Sequence, residues 1–230
     1  MILDPLHYAL GIAAGALVGL ILALAGGGGS ILAVPLMVYV VAVPSAHVAI
    51  GTSAFAVALS AGAGLVRHAR AGHVKWRCAG LFAGVGVVGA MVGSTLGMAF
   101  DAHKLLAAFA IVMLLAGVLM LRKRCVAGNP DARCGREELP RVLGFGSAAG
   151  LFSGFFGIGG GFLVVPGLIA ATGMPMINAV GSSLVAVTAF GLTTSANYAL
   201  SGLVDWWLAG AFIVGGLGGG MFGIRLARRL

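Results

Sequence analysis

Two long runs of this chain contain no Asp, Glu, Lys or Arg: Pro5 through Val66 and Val142 through Val204. Each run far exceeds the ~20 apolar residues that one bilayer crossing needs. In lipid every backbone N–H and C=O must be bonded internally, so helices are the available solution for such sequence. Yet each run is interrupted by glycine. Gly26-Gly27-Gly28-Gly29-Ser30 is followed five residues later by Pro35, and Gly157-Ile158-Gly159-Gly160-Gly161 is followed five residues later by Pro166. A glycine costs about 1 kcal/mol in a helix relative to alanine. Helices are thus weakened where the environment demands them, and such conflicts mark functional sites.

Composition excludes the soluble classes. Hydrophobic residues are 60% and charged residues 9% of the chain, with a mean hydropathy of +1.09. The net charge of +8 does not indicate nucleic acid, because the positive residues fall in short gaps between apolar segments, as in cytoplasmic membrane loops. Cys78, Cys125 and Cys134 are odd in number and form no CxxC pair, which argues against a disulfide framework. His68, His73 and Cys78 read as a solvated basic loop, with no metal expected. Asp4 and the lack of a basic leader argue against a cleaved signal peptide.

Apolar segments are read at 6–25, 31–43, 47–66, 78–99, 105–121, 142–156, 162–173, 178–200 and 206–224. The expected fold is all-α and polytopic. Segments 31–43 and 162–173 follow the glycine stretches and are short for a full crossing, so each is a tilted helix or a re-entrant half-helix. Three basic clusters, Arg67–Arg77, Arg122–Arg141 and Arg225–Arg229, should be cytoplasmic. That places the N-terminus outside and the C-terminus inside.

The chain also repeats. An offset of 131 superposes Gly19 on Gly150, Gly26 on Gly157, Pro35 on Pro166 and Pro44 on Pro175. After a one-residue deletion, an offset of 130 pairs Gly51 with Gly181, Ser53 with Ser183, Gly72 with Gly202, Trp76 with Trp206 and Gly86 with Gly216. Gly72 lies in a basic loop and Gly202 beside Asp205, so equivalent positions should sit on opposite faces. The organisation expected is a first repeat over 1–100, an extra crossing helix and cytoplasmic loop over 101–140, and a second, inverted repeat over 141–230. Gly128-Asn129-Pro130-Asp131 reads as a turn in that loop. Paired glycine-interrupted segments in inverted repeats point to a secondary transporter with its site where the repeats meet.

The glycine stretches are the candidate site. Successive backbone N–H groups form nests for anions, and a following helix N-terminus adds positive dipole. Ser30, His47, Thr52 and Ser53 in the first copy, and Asn178, Ser182 and Ser183 in the second, could complete a cage. These residue types suit an oxyanion or a cation, so they leave the charge sign open. The same glycines could instead permit close helix packing, and the serines could bond back to their own helices. Pro35 and Pro166 read as kinks, and Trp76 and Trp206 as interface anchors. Thr188, Thr193, Thr194, Ser195 and Asn197 form a stripe that lines a path or joins helices. No carboxylate falls in an apolar segment, which argues against a proton relay. No Lys or Arg falls in one either, so binding should rest on neutral donors.

Gly-x-Gly-Gly followed by Val-Pro, then Ala-x-Gly-[Ser/Thr]-Ser, both present twice, resembles the TauE/SafE sulfite exporter family from Gly19 to the final segment. The resemblance implies a permease of the prokaryotic inner membrane that exports sulfite, an organosulfonate or another sulfur oxyanion. It assigns Gly26, Gly28, Gly29 and Ser53, with Gly157, Gly159, Gly160 and Ser183, to the site. The first copy has Ser30 where the second has Gly161, so the half-sites are not identical. The partners implied are a small anion and the lipid bilayer, without nucleic acid or cofactor, and with self-association open. A channel or carrier for another small ion is the alternative. An intramembrane enzyme lacks a nucleophile or ligand cluster beside His47, and an assembly subunit would not explain two inverted glycine stretches.

The topology is testable by cysteine accessibility. Gly72→Cys and Gly202→Cys variants should label from opposite membrane faces, and labelling from one face would remove the inversion.

Overall fold

The computed structural model describes residues 5–122, 135, 138–159 and 161–227. All regular structure among these residues is helical. The first copy comprises α1 (Pro5–Ala25), a 3-10 helix (Gly26–Leu32), α2 (Ala33–Pro35), a π-helical turn (Leu36–Val40), α3 (Ala46–Arg70) and α4 (Trp76–Ala99). The chain continues through α5 (Ala102–Arg122). The second copy comprises α6 (Leu139–Phe156), α7 (Gly161–Thr172), α8 (Met176–Leu200) and α9 (Trp206–Ala227). The turn expected at 128–131 lies outside the described residues.

Among the described residues, α3, α4, α8 and most of α9 are long and apolar enough to cross a membrane, and shorter apolar helices cover Leu6–Leu22, Gly29–Val40, Lys104–Leu115 and Gly161–Thr172. Large apolar side chains such as Val88, Ile111, Leu114 and Val214 face outward, as a lipid-facing surface requires. Pro166 stays inside α7. Pro35 instead precedes the π turn, in which the Val41 N–H donates to the Leu36 carbonyl at 2.9 Å. The two prolines therefore act differently: only the first sits where helical geometry is lost.

Glycine decides how the helices pack. A Cβ at Gly15 would run into the Phe212 carbonyl, and one at Gly19 into the Gly216 backbone. Under the repeat these contacts become Gly146 on Phe82 and Gly150 on Gly86, and both are present. Hence α1 packs along α9, and α6 along α4, with backbones close enough that only glycine fits. Both pairs run parallel, since Gly11, Gly15 and Gly19 meet Leu208, Phe212 and Gly216 in order. At the centre, α3 packs on its own equivalent α8. Gly51 faces Tyr198, Ala58 faces Gly191 and Gly64 faces Leu184, so this pair is antiparallel. The two helices that the sequence offset pairs thus run antiparallel, as an inverted repeat requires. Each copy gives its first and last long helices to the other.

Cys78 is disulfide-bonded. The odd cysteine count therefore misled at that position.

Ala42 is the one non-glycine with a left-handed backbone among the described residues, at φ 57°; its repeat equivalent is Gly173, at φ 66°. A Cβ in that region costs about 1–2 kcal/mol, against about 0.5–1 kcal/mol for glycine's greater freedom when unfolded. Ala42 is exposed, so its methyl contributes little packing. Ala42→Gly should raise stability by about 0.5–1 kcal/mol, read as a higher thermal midpoint in detergent. A lowered midpoint would contradict the assigned backbone.

Candidate functional site

The two glycine stretches solve the break in the helix differently. In the second copy Gly157 caps α6 in the left-handed conformation at φ 66°. Its N–H donates to the Gly154 carbonyl, and the Ile158 N–H to the Ser153 carbonyl, both at 3.3 Å. That paired bonding is a Schellman cap, and it engages the Gly157 amide within the protein. Gly159, at φ 67°, lies where α3 and α8 cross; a Cβ there would touch Val57 at 3.3 Å and Val187 at 3.4 Å. Val57 and Val187 are themselves repeat equivalents. Gly161 then opens α7, while Gly160 lies outside the described residues. In the first copy Gly26, Gly27, Gly28, Gly29 and Ser30 belong to the 3-10 helix. Gly29 folds back on α1, where a Cβ would meet the Leu22 backbone and the Val18 carbonyl. Ser30 is fully buried.

The segments after the two stretches meet. Val34 shares one apolar cluster with Ile158, Phe162, Ile50 and Tyr198, and Ile31 packs against it. Most of the polar candidates are engaged elsewhere. Ser53 and Ser183 donate to the Ile50 and Val180 carbonyls of their own helices, at 3.1 and 2.8 Å. Thr52 Oγ1 accepts the Asp205 N–H at 3.0 Å, and Ser182 Oγ accepts the Lys75 N–H at 3.0 Å. These two bonds are images of each other and tie α3 to the start of α9, and α8 to the start of α4. Asp205 in turn caps α9 through Oδ1, which accepts from Trp207 and Leu208. Asn178 donates to the His73 carbonyl at 3.2 Å. His47 stacks on Tyr198 with ring centroids 6.5 Å apart, and its Nε2 is buried without a partner. Within the stripe on α8, Thr188 and Thr193 bond their own helix, and Asn197 donates to Ser94 and Thr95 of α4.

A cavity of about 500 Å³ opens beside these elements, between α1, α3, α8 and α9. Gly19, Leu22, Ser60, Gly64, Leu184 and Gly216 line its interior, and Arg67, His68, Arg70 and His73 its mouth. Among the described residues no acidic side chain lines it. Ser60 is 6% exposed, and its hydroxyl has no partner. The His68 and His73 rings lie 5.8 Å apart, and His68 Nδ1 is also unpartnered. Arg67 donates through Nε to the Ala63 carbonyl at 3.2 Å, which holds its guanidinium against the helix end while the other nitrogens remain available. Among the described residues no group of three metal-ligating side chains converges.

Sequence reading ended the apolar segment at Val66 and assigned the arginines to a loop. The helix continues to Arg70, so the expectation that no arginine belongs to an apolar segment needs correction. A usable signal existed: Ser60, Gly64, Arg67 and Ala71 follow the i, i+4, i+7, i+11 spacing of one helix face, and all four line the cavity.

The family model described as "Sulfite exporter TauE/SafE" matches residues 11–230. A "Probable membrane transporter protein" of Xylella fastidiosa strain Temecula1 is 54% identical over 222 residues, covering 95% of this chain and 84% of that protein. "Probable membrane transporter protein YdhB" of Bacillus subtilis is 26% identical, covering 91% of this chain and 86% of its own length. "Probable membrane transporter protein MJ0441" of Methanocaldococcus jannaschii is 27% identical over 74% of this chain. No solved structure matches the chain.

The bonds of Thr52 and Ser182 give a direct test of what these hydroxyls do. Thr52→Val and Ser182→Ala each leave a backbone N–H without its acceptor, which should cost about 1–2 kcal/mol in unfolding experiments. Transport by the folded fraction should be unchanged. Unaltered stability with lost transport would return both residues to the role of ligands.

Proposed function

Because the chain belongs to the TauE/SafE sulfite exporter family and is an integral membrane transporter, we propose that it carries a small sulfur oxyanion, with sulfite or an organosulfonate as the substrate class. The observation that supports an anion best is the cavity whose mouth carries Arg67, His68, Arg70 and His73, with no acidic side chain among the described residues that line it. Guanidinium groups suit tetrahedral and pyramidal oxyanions because their planar donors engage several oxygens at once. Deeper in, the unpartnered Ser60 hydroxyl offers a neutral donor beside close-packed glycine backbone. A basic mouth raises local anion concentration by long-range attraction. A neutral interior then holds the ion by directed hydrogen bonds, without a fixed charge that would slow its release.

In this reading the basic face is cytoplasmic, the N-terminus is external and the cavity receives anion from inside the cell. The segments that follow the glycine stretches pack together in one apolar cluster, at the centre of the carrier. The sequence division into a first repeat, an extra helix with its loop, and a second repeat fits this arrangement, with the central pair α3 and α8 supplying both faces of the path.

Ligand-dependent thermal shift of the purified protein tests the proposal. Sulfite, thiosulfate, sulfate and taurine are compared as sodium salts, beside several chloride salts of simple cations at matched ionic strength. A bound anion at 100 times its Kd stabilises the fold by about 2.7 kcal/mol, and Arg67→Gln should weaken that response about tenfold or more. Stabilisation that follows the cation and ignores the anion would overturn the reading.

A further inference from the structure

The repeat assigns every cavity-lining residue a counterpart on the opposite side of the molecule. The offset takes Leu22 to Ser153, Ser60 to Phe190, Gly64 to Thr194, Arg67 to Asn197, His68 to Tyr198 and Gly216 to Gly86. The contacts obey the same mapping. A Cβ at Gly216 would meet Ser60 Oγ at 2.7 Å, and a Cβ at Gly86 would run into the Phe190 ring. Residues 60 and 190 therefore stand at one structural position in two copies. Where that position is serine there is a cavity. Where it is phenylalanine, the ring is fully buried and fills the equivalent space.

Three polar groups at positions equivalent to lining residues of the open cavity are unexplained by folding alone. Ser153 is 1% exposed, and Thr194 and Tyr198 are fully buried. None of their hydroxyls has a hydrogen-bond partner. A buried hydroxyl without a partner is costly, and native proteins leave few of them. Here three are the images of Leu22, Gly64 and His68, which all line the open cavity. The second copy thus places buried, unpartnered hydroxyls at the positions equivalent to the cavity lining. At its rim the counterpart of Arg67 is neutral: Asn197 bonds the Ser94 and Thr95 hydroxyls at 2.7 and 3.0 Å.

We propose that these residues form a second, closed access route for the same oxyanion, lined by Ser153, Thr194 and Tyr198 and plugged by the Phe190 ring. It opens toward the face of Asp205, opposite the basic mouth, because α3 and α8 run antiparallel. Displacing the ring hydrates the three hydroxyls, which then replace part of the anion's water shell. The inference rests on the transporter reading but needs neither the anion nor its identity.

Accessibility labelling in sided membrane vesicles tests it, with peptide mass mapping to read each position and the native cysteines retained. Thr194→Cys reports on the closed route and Gly64→Cys on the open cavity. With Phe190 intact, a charged, membrane-impermeant thiol reagent should modify Gly64→Cys from the basic face, while Thr194→Cys stays unmodified from either face. Adding Phe190→Ser should speed modification of Thr194→Cys at least tenfold, from the Asp205 face alone. Adding Ser60→Phe to Gly64→Cys should slow modification at least tenfold. Phe190→Leu, which retains an apolar side chain, provides a milder opening if Phe190→Ser does not run as a single species in gel filtration. Unchanged modification of Thr194→Cys in a monodisperse protein, or modification from the basic face, overturns the route. Failure of the anion thermal shift beside successful labelling would discard the substrate class alone.

Discussion

Close approach of glycine backbones between α1 and α9, and again between α4 and α6, is the constraint on which the rest of this structure depends. Lipid tails are as apolar as leucine side chains, so helices in a membrane gain little from hiding apolar surface against each other. Association must come from contact at short range. Gly15 and Gly19 against Phe212 and Gly216, and Gly146 and Gly150 against Phe82 and Gly86, provide it. Because each pair joins one copy to the other, neither copy is complete alone. The outer helices clamp the antiparallel pair α3 and α8, and that pair carries the polar residues.

The hydroxyls divide into two populations. Thr52 and Ser182 hold the starts of the following helices across the copy boundary, and Ser53 and Ser183 bond their own helices. Ser60, Ser153, Thr194 and Tyr198 bond nothing. A membrane interior penalises an unbonded hydroxyl more than a soluble core does, since water is scarce there. The unbonded population is therefore the more informative one. Ser60 lines the cavity, and Ser153, Thr194 and Tyr198 stand at positions that the sequence offset pairs with cavity residues.

Symmetry and its violations carry separate meanings. Reciprocal bonds and contacts, such as Gly51 against the Leu203 carbonyl and Gly181 against the His73 carbonyl, show that the copies share one backbone plan. The differences fall on lining residues: serine against phenylalanine, arginine against asparagine, histidine against tyrosine. A shared frame with asymmetric lining suits a membrane transporter, whose two faces do different work.

Most of the architecture was legible in the sequence. Charge-free runs dictate helices in lipid, and the described residues are helical throughout, because that constraint is local to each segment. The candidate site was legible only in part. Sequence could name Thr52 and Ser182 as candidates for a cage, but it could not say that they accept backbone N–H groups from residues more than a hundred positions away. It stopped α3 at Val66, since hydropathy ends there, whereas the helix continues to Arg70 because hydrogen bonding ignores side-chain charge. Whether a space is open or filled depended on one side chain from each copy, Ser60 or Phe190, meeting a glycine of another helix. Distances between such residues are set by tertiary packing, and no local pattern in the chain encodes them.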